Sequence, residues 1–254
     1  NLFTPKEKAE SSVYYQYCTQ WPCETLLAQT WDCGLLYEMG MATGAELLET
    51  GVTLWLAPGM NLHRNPLCGR NFEYYSEDPL LTGKLAASLS QGVNSCGGIG
   101  VTYKHFACND REEERQRMSV EISERALRET HLKGFEIAVK EGNPKAVMTS
   151  YNRINGAYVS NTRELCVDVL RCEWGFSGLV MTDWFATGRD TAAAEECMPA
   201  GNDLVMPGSV QTRKKVLCAY KKGKIREKDM AVSCKLILKT IMESAVYTDG
   251  RKPE

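Results

Sequence analysis

Long apolar runs are missing from this chain. No stretch approaches the ~20 residues that a membrane-crossing helix needs, and the opening Asn1-Leu2-Phe3-Thr4-Pro5-Lys6-Glu7-Lys8 lacks the apolar core of a signal peptide. A cytoplasmic setting without a membrane span is expected. Net charge is equally scarce: 30 Lys and Arg stand against 32 Asp and Glu, a formal charge of −2. That balance leaves no basic footprint for a nucleic acid. The clusters Arg213-Lys214-Lys215 and Lys221-Lys222-Gly223-Lys224 read as solvated helix faces. Histidine is rare, and His63, His105 and His131 lack the spacing to Cys, Asp or Glu of a metal motif. Neither a metal nor a cofactor is expected. The eleven cysteines include no Cys-x-x-Cys pair and are odd in number, which argues against a disulfide framework. Cys96, Cys166, Cys218 and Cys234 read as small buried or half-buried hydrophobes. No repeat and no linker rich in Pro, Gly or Ser divides the sequence.

What is present is ordinary globular material, 254 residues with 43% hydrophobic and 24% charged, enough for one large core. Short apolar runs at 52–57, 99–104, 145–150, 179–183 and 203–206 predict strands. Between them, 32–49, 79–95, 123–140, 162–174 and 186–200 carry helical periodicity, and 210–222 and 227–243 predict two further amphipathic helices. Ser160-Asn161-Thr162 is placed to cap the helix at 162–174, and Gly175 marks its end. The alternation means an α/β fold with a parallel sheet. One organised unit is expected over 21–247, with 1–20 and 248–254 the least organised segments.

Chemistry gathers where the predicted strands stop. Gly178-Leu179-Val180-Met181-Thr182 runs into Asp183 and Trp184, and Ile99-Gly100-Val101-Thr102-Tyr103 runs into Lys104 and His105. Parallel strands ending in titratable groups suggest one face where strand ends converge on a pocket. A plain helix N-cap is the competing reading of Asp183, and a Schiff-base role is one reading of Lys104. Tyr151 follows the run Ala146-Val147-Met148-Thr149-Ser150 and reads equally as a core aromatic. Arg70 lies in the Pro- and Gly-containing loop 65–73. Its planar fork suits sugar hydroxyls, or a salt bridge to Glu73 or Glu77. Arg115 falls in the dense charge run 110–117, which by composition reads as solvated surface.

Six motifs in one order carry a resemblance: 65–79 (Asn-Pro-Leu-Cys-Gly-Arg-Asn-Phe-Glu-Tyr-Tyr-Ser-Glu-Asp-Pro), Lys-His-Phe at 104–106, Met-Thr-Ser-Tyr-Asn at 148–152, Glu-Trp-Gly-Phe at 173–176, Met-Thr-Asp-Trp at 181–184 and Ala-Gly-Asn-Asp-Leu-Val-Met-Pro-Gly at 200–208. Together they resemble the catalytic barrel of glycoside hydrolase family 3, over residues 24–208 with a weaker continuation to 246. The resemblance implies a (β/α)8 TIM-like barrel, here incomplete at its N-terminal end. It also implies a retaining, exo-acting β-glucosidase that removes terminal β-glucosyl residues from β-linked oligosaccharides or aryl glucosides. Asp183 matches the family's nucleophile. Arg70, Lys104, His105 and Arg115 match its sugar-binding positions, and Tyr151 and Trp184 the remaining subsite positions.

Departures are informative. The family's early Asp-Gly-Pro segment has no counterpart before Trp21, and Lys104-His105-Phe106 is followed by Ala107-Cys108-Asn109-Asp110. The catalytic-His loop of the family's one-domain members, Lys-His-Phe-Pro-Gly-His-Gly, is therefore absent. In the other members an α/β sandwich domain supplies the acid/base Glu, and that domain is the expected partner of this chain. A piece of a longer enzyme is expected, weakly active alone. A β-xylosidase and a non-catalytic sugar-binding barrel are the alternatives.

Overall fold

A computed structural model describes residues 17–248. The expected organisation of 1–16 and 249–254 lies outside the described residues. Among them the strands are β1 (Leu54–Trp55), β2 (Gly100–Phe106), β3 (Ser119–Val120), β4 (Ala146–Thr149), β5 (Arg153–Ile154), β6 (Ala157–Tyr158) and β7 (Leu179–Thr182). One sheet has the order β1-β2-β4-β7, all parallel, and a smaller one has the order β3-β5-β6. The α/β reading with a parallel sheet holds. The described sheet has four strands, half of what a closed eight-stranded barrel requires.

Period-2 alternation gives the large sheet two buried faces. On one side Tyr103 points into the helices, where its hydroxyl donates to the Ala86 and Ala138 carbonyls at 3.3 and 3.2 Å. Helices Cys33–Glu49, Pro79–Asn94 and Lys133–Gly142 cover this side. The first two touch backbone to backbone: a Cβ on Gly92 would stand 2.1 Å from the Tyr37 carbonyl, so only glycine fits. Asp78 caps the second, accepting from the Leu80 amide at 2.7 Å with Pro79 in the first turn. On the other side Ala146, Met148, Leu179 and Met181 pack under Leu236 and Ile237 of helix Glu227–Met242. An amphipathic helix thus packs against this second face of the sheet, at β7.

Several elements differ from expectation for local reasons. The helix expected at 186–200 is confined to Ala194–Cys197. Phe185 takes φ 58°, and Asn161 clasps Ala193, accepting from its amide at 2.8 Å and donating to its carbonyl at 2.9 Å. Asn161 is therefore spent on that loop rather than capping the helix after it. The strand expected at 203–206 shrinks to a single bridge between Leu204 and Met181, because the Asp203 side chain takes the Val180 amide at 2.8 Å. The helix expected at 123–140 is interrupted by a π-helical turn at Leu127–His131, and Glu164–Glu173 is π-helical. Of the four cysteines read as buried or half-buried, Cys166 and Cys96 are so, but Cys218 and Cys234 are exposed, on outward faces of late helices. No described helix is long and apolar enough to cross a membrane.

Candidate active site

In a parallel sheet every strand delivers its C-terminal end to one edge. Phe106 pairs with Thr149, and Thr149 with Thr182. The residues around these three, Lys104 and His105, Tyr151, and Asp183 and Trp184, therefore emerge side by side. The structure brings together all seven residues singled out from sequence. Arg70 arrives on loop 65–73 and Arg115 on the segment after β2. Ser150 and Asn152 tie down the start of that segment, donating to the Ala107 carbonyl at 2.8 and 3.2 Å.

Asp183 is 7% exposed. Its Oδ1 accepts from the Trp184 amide at 2.6 Å, while Oδ2 is buried with no hydrogen-bond partner among the described residues. Burial pushes its carboxyl above the ordinary range. The Trp184 amide, the nearby Tyr151 hydroxyl, Arg70 and Arg115 pull the other way. Desolvation and charge compensation thus oppose each other on one group.

Around it stand polar and cationic groups. His105 Nε2 lies 3.6 Å from Asp183 Oδ2 and 2.8 Å from Arg70 Nη2. A guanidinium can only donate, so Nε2 accepts and the imidazole proton sits on Nδ1, 3.1 Å from the Tyr74 hydroxyl. Burial, reinforced by Arg70, Lys104 and Arg115, drives the His105 pKa well down, and the ring is neutral at pH 7. Asn61 holds its backbone from both sides, accepting from the His105 amide and donating to its carbonyl, each at 2.9 Å. The Arg115 guanidinium stacks 4.4 Å above the Tyr151 ring. Tyr151 donates to the Trp184 carbonyl at 2.7 Å, and burial, with the Asp183 charge, pushes its phenol up to about 12.

Sequence reasoning left two acids unassigned. Glu73 bonds Arg70 through Oε1 and Lys104 through Oε2 at 2.9 Å. Glu112 takes Arg115 at 2.7 Å and the Asn109 amide at 3.2 Å. In the sequence Glu73 reads only as a partner for Arg70, and Glu112 is hidden in the charge run. Asn61, Tyr74 and Asn109 gave no signal, since their roles rest on contacts across loops. Glu77, the other partner considered for Arg70, forms no ion pair with it among the described residues. No described group of three or more His, Cys, Asp or Glu is placed to hold a metal ion.

A buried carboxylate with one free oxygen, beside Arg70, Arg115 and a neutral imidazole, suits attack on an electrophilic carbon bearing hydroxyl neighbours. Residues 7–240 match the family model described as Glycosyl hydrolase family 3 N terminal domain. The chain belongs to that family. It is 49% identical over 192 residues to "Probable beta-glucosidase K" of Emericella nidulans, covering 76% of this chain and 22% of that protein. Over 212 residues it is 46% identical to "Beta-glucosidase A" of Butyrivibrio fibrisolvens, covering 84% of this chain and 25% of that one. The structure of beta-glucosidase 3B from Thermotoga neapolitana in complex with glucose superposes with a TM-score of 0.90 at 44% identity, over 97% of this chain and 35% of that chain. This family 3 chain thus spans about a quarter of the length of those two relatives.

Proposed function

We propose that this chain forms the sugar-gripping and nucleophilic half of a retaining, exo-acting β-glucosidase, built on part of a (β/α)8 barrel. The observation that carries the reading is the asymmetry of Asp183: Oδ1 is held by the Trp184 amide and Oδ2 is left without a partner. Oδ2 attacks the anomeric carbon of a terminal β-glucosyl residue. The leaving oxygen departs with the bonding pair, and a glycosyl ester forms on Asp183. Arg70, Lys104, His105 and Arg115 grip the sugar hydroxyls, Tyr151 steadies the carboxylate, and Trp184 walls the ring.

Retention requires a second carboxyl group about 5–5.5 Å from the first. Glu73 and Glu112 are already bonded to cations, and the family resemblance implies a Glu on an α/β sandwich domain, to which we assign the acid/base role. An activated leaving group makes that acid dispensable. Intact-mass spectrometry after incubation with 2,4-dinitrophenyl 2-deoxy-2-fluoro-β-glucoside is therefore the test. A single adduct that peptide mapping places on Asp183 is the expected result. A folded sample that takes up no label, yet binds glucose, would mean a non-catalytic sugar-binding unit.

A further inference from the structure

Outside this site, a second group of unmet polar atoms borders a cavity that the chemistry above does not use. The cavity measures about 410 Å³, within the range of about 300–1,000 Å³ of small-molecule sites. It opens between loop 64–65, the start of the 110–117 run, β3 and the π-helical turn at Leu127–His131. In its wall Asp110 Oδ2 lies 3.0 Å from His131 Nδ1, with the side chains only 12% and 6% exposed. The pair is close but not aligned, so Asp110 Oδ1 and His131 Nδ1 both remain buried without a hydrogen-bond partner. Buried polar atoms are rarely left so, and each instance calls for a reason. At the rim Arg64 is exposed and enters no hydrogen bond or ion pair among the described residues.

We infer that this cavity is a second carbohydrate site, which takes a neutral hydroxylated ring such as a hexopyranose. The chemistry of the unmet atoms selects the class. One hydroxyl can accept from His131 Nδ1–H and donate to Asp110 Oδ1, whereas a carboxylate cannot donate and an ammonium or guanidinium cannot accept. Asp110 and His131 both line the cavity, and binding requires the Asp110 carboxylate to turn its Oδ1 toward the bound hydroxyl. The fixed charges also disfavour an ion, because Arg64 and Arg111 in the lining are offset by Asp110 and Glu121. Val120 and Ile122 offer an apolar patch for the C–H face of the ring, and Arg64 a free donor for a further oxygen.

The three histidines of the chain, His63, His105 and His131, make the test direct, because each gives its own imidazole signal in an NMR spectrum of the full chain. Titration with methyl β-D-glucoside and with cellobiose should move the His131 signals along a saturable curve distinct from that of His105. Arg64→Ala, at an exposed position, should weaken the His131 curve by about threefold, and Asp110→Asn, which turns a charge-assisted bond into a neutral one, by about tenfold. His131 signals that stay still while His105 responds would overturn this site and leave the proposed function intact. Movement at His131 without movement at His105 would do the reverse. Silence at both, or a His131 response to inorganic phosphate but not to either sugar, overturns the carbohydrate site.

Discussion

Asp183 and Asp203 are twenty positions apart in sequence, flank the same strand β7, and are both buried, at 7% and 3% exposure. Burial raises the pKa of each. Their surroundings differ in one respect. Asp203 has both oxygens bonded: Oδ2 takes Arg171 Nη2 at 2.7 Å and the Val180 amide at 2.8 Å, and Oδ1 takes the Ser233 hydroxyl at 3.1 Å. Asp183 keeps one oxygen open. A buried carboxylate with both oxygens engaged ties elements together, here helix Glu164–Glu173, β7 and helix Glu227–Met242. One left partly unmet is held in a costly state that only a ligand or a reaction relieves.

The sharpest way to break the comparison is to neutralise each acid in turn. Asp183→Asn keeps an oxygen for the Trp184 amide but removes the nucleophile. Labelling by the fluoro-glucoside should fall by about 10⁴-fold or more, with an unchanged fold by circular dichroism. Comparable labelling in the variant would place the nucleophile elsewhere. Asp203→Ala should behave oppositely. It strands the largely buried Arg171 and frees the Val180 amide, so urea unfolding should report a loss of about 3–5 kcal/mol. A loss below about 0.5 kcal/mol, the level of an ordinary surface change, would show that the Asp203 network does not hold these elements together.

Much of this contrast was legible beforehand, and some was not. Apolar runs ending in Lys104-His105 and Asp183-Trp184 located the strand ends to within two residues, β2 running on to Phe106, because a strand buried on both faces leaves a continuous signature. Asp203 read only as the start of a strand, since nothing in a linear pattern says that a side chain will replace a carbonyl in the ladder. The same limit hid Glu73 and Glu112, whose roles depend on loops meeting across the sheet edge. The helix expected at 186–200 failed because Asn161, thirty-two positions from Ala193, holds the loop in another shape. The exposure of Cys218 and Cys234 follows from late helices that also present Leu217, Val232 and Leu238 to solvent. Their periodic apolar pattern suggested more burial than the described residues provide.

The pH dependence sharpens the comparison from the thermodynamic side. A carboxyl whose folded pKa is raised holds its proton more tightly in the folded state. Between the unfolded and folded pKa values the native chain therefore binds more protons, and stability falls as pH rises. Asp183→Asn abolishes that contribution. The variant and wild type should converge at pH below the ordinary carboxylate range. Above the raised pKa the variant should be the more stable, by about 1.4 kcal/mol for each unit by which the folded pKa exceeds the unfolded one. Chemical denaturation at a series of pH values measures the gap, and a gap that closes as pH rises contradicts the raised pKa. Labelling of wild type should show its acid limb above the ordinary carboxylate range, since only the ionised acid attacks.

The smallest effect expected separates the placing of cations from their charge. Glu73 bonds Arg70 and Lys104 at once, and Glu73→Gln keeps the shape of that link but removes its charge. With one acceptor weakened, the two cations are less firmly placed for sugar hydroxyls, so the fluoro-glucoside concentration for half-maximal labelling should rise by about tenfold, the loss of one charge-assisted bond. The charge change acts the other way on Asp183. Arg70 and Arg115 favour its ionised form while His105 is neutral, and with Glu73 neutralised the field at Asp183 becomes more positive. The acid limb of labelling should therefore move to lower pH. Weaker binding with a lower acid limb marks a residue that places and tempers the cations. Weaker binding with an unmoved limb would reduce Glu73 to packing, and unchanged binding would mean that Arg70 and Lys104 hold their positions without it.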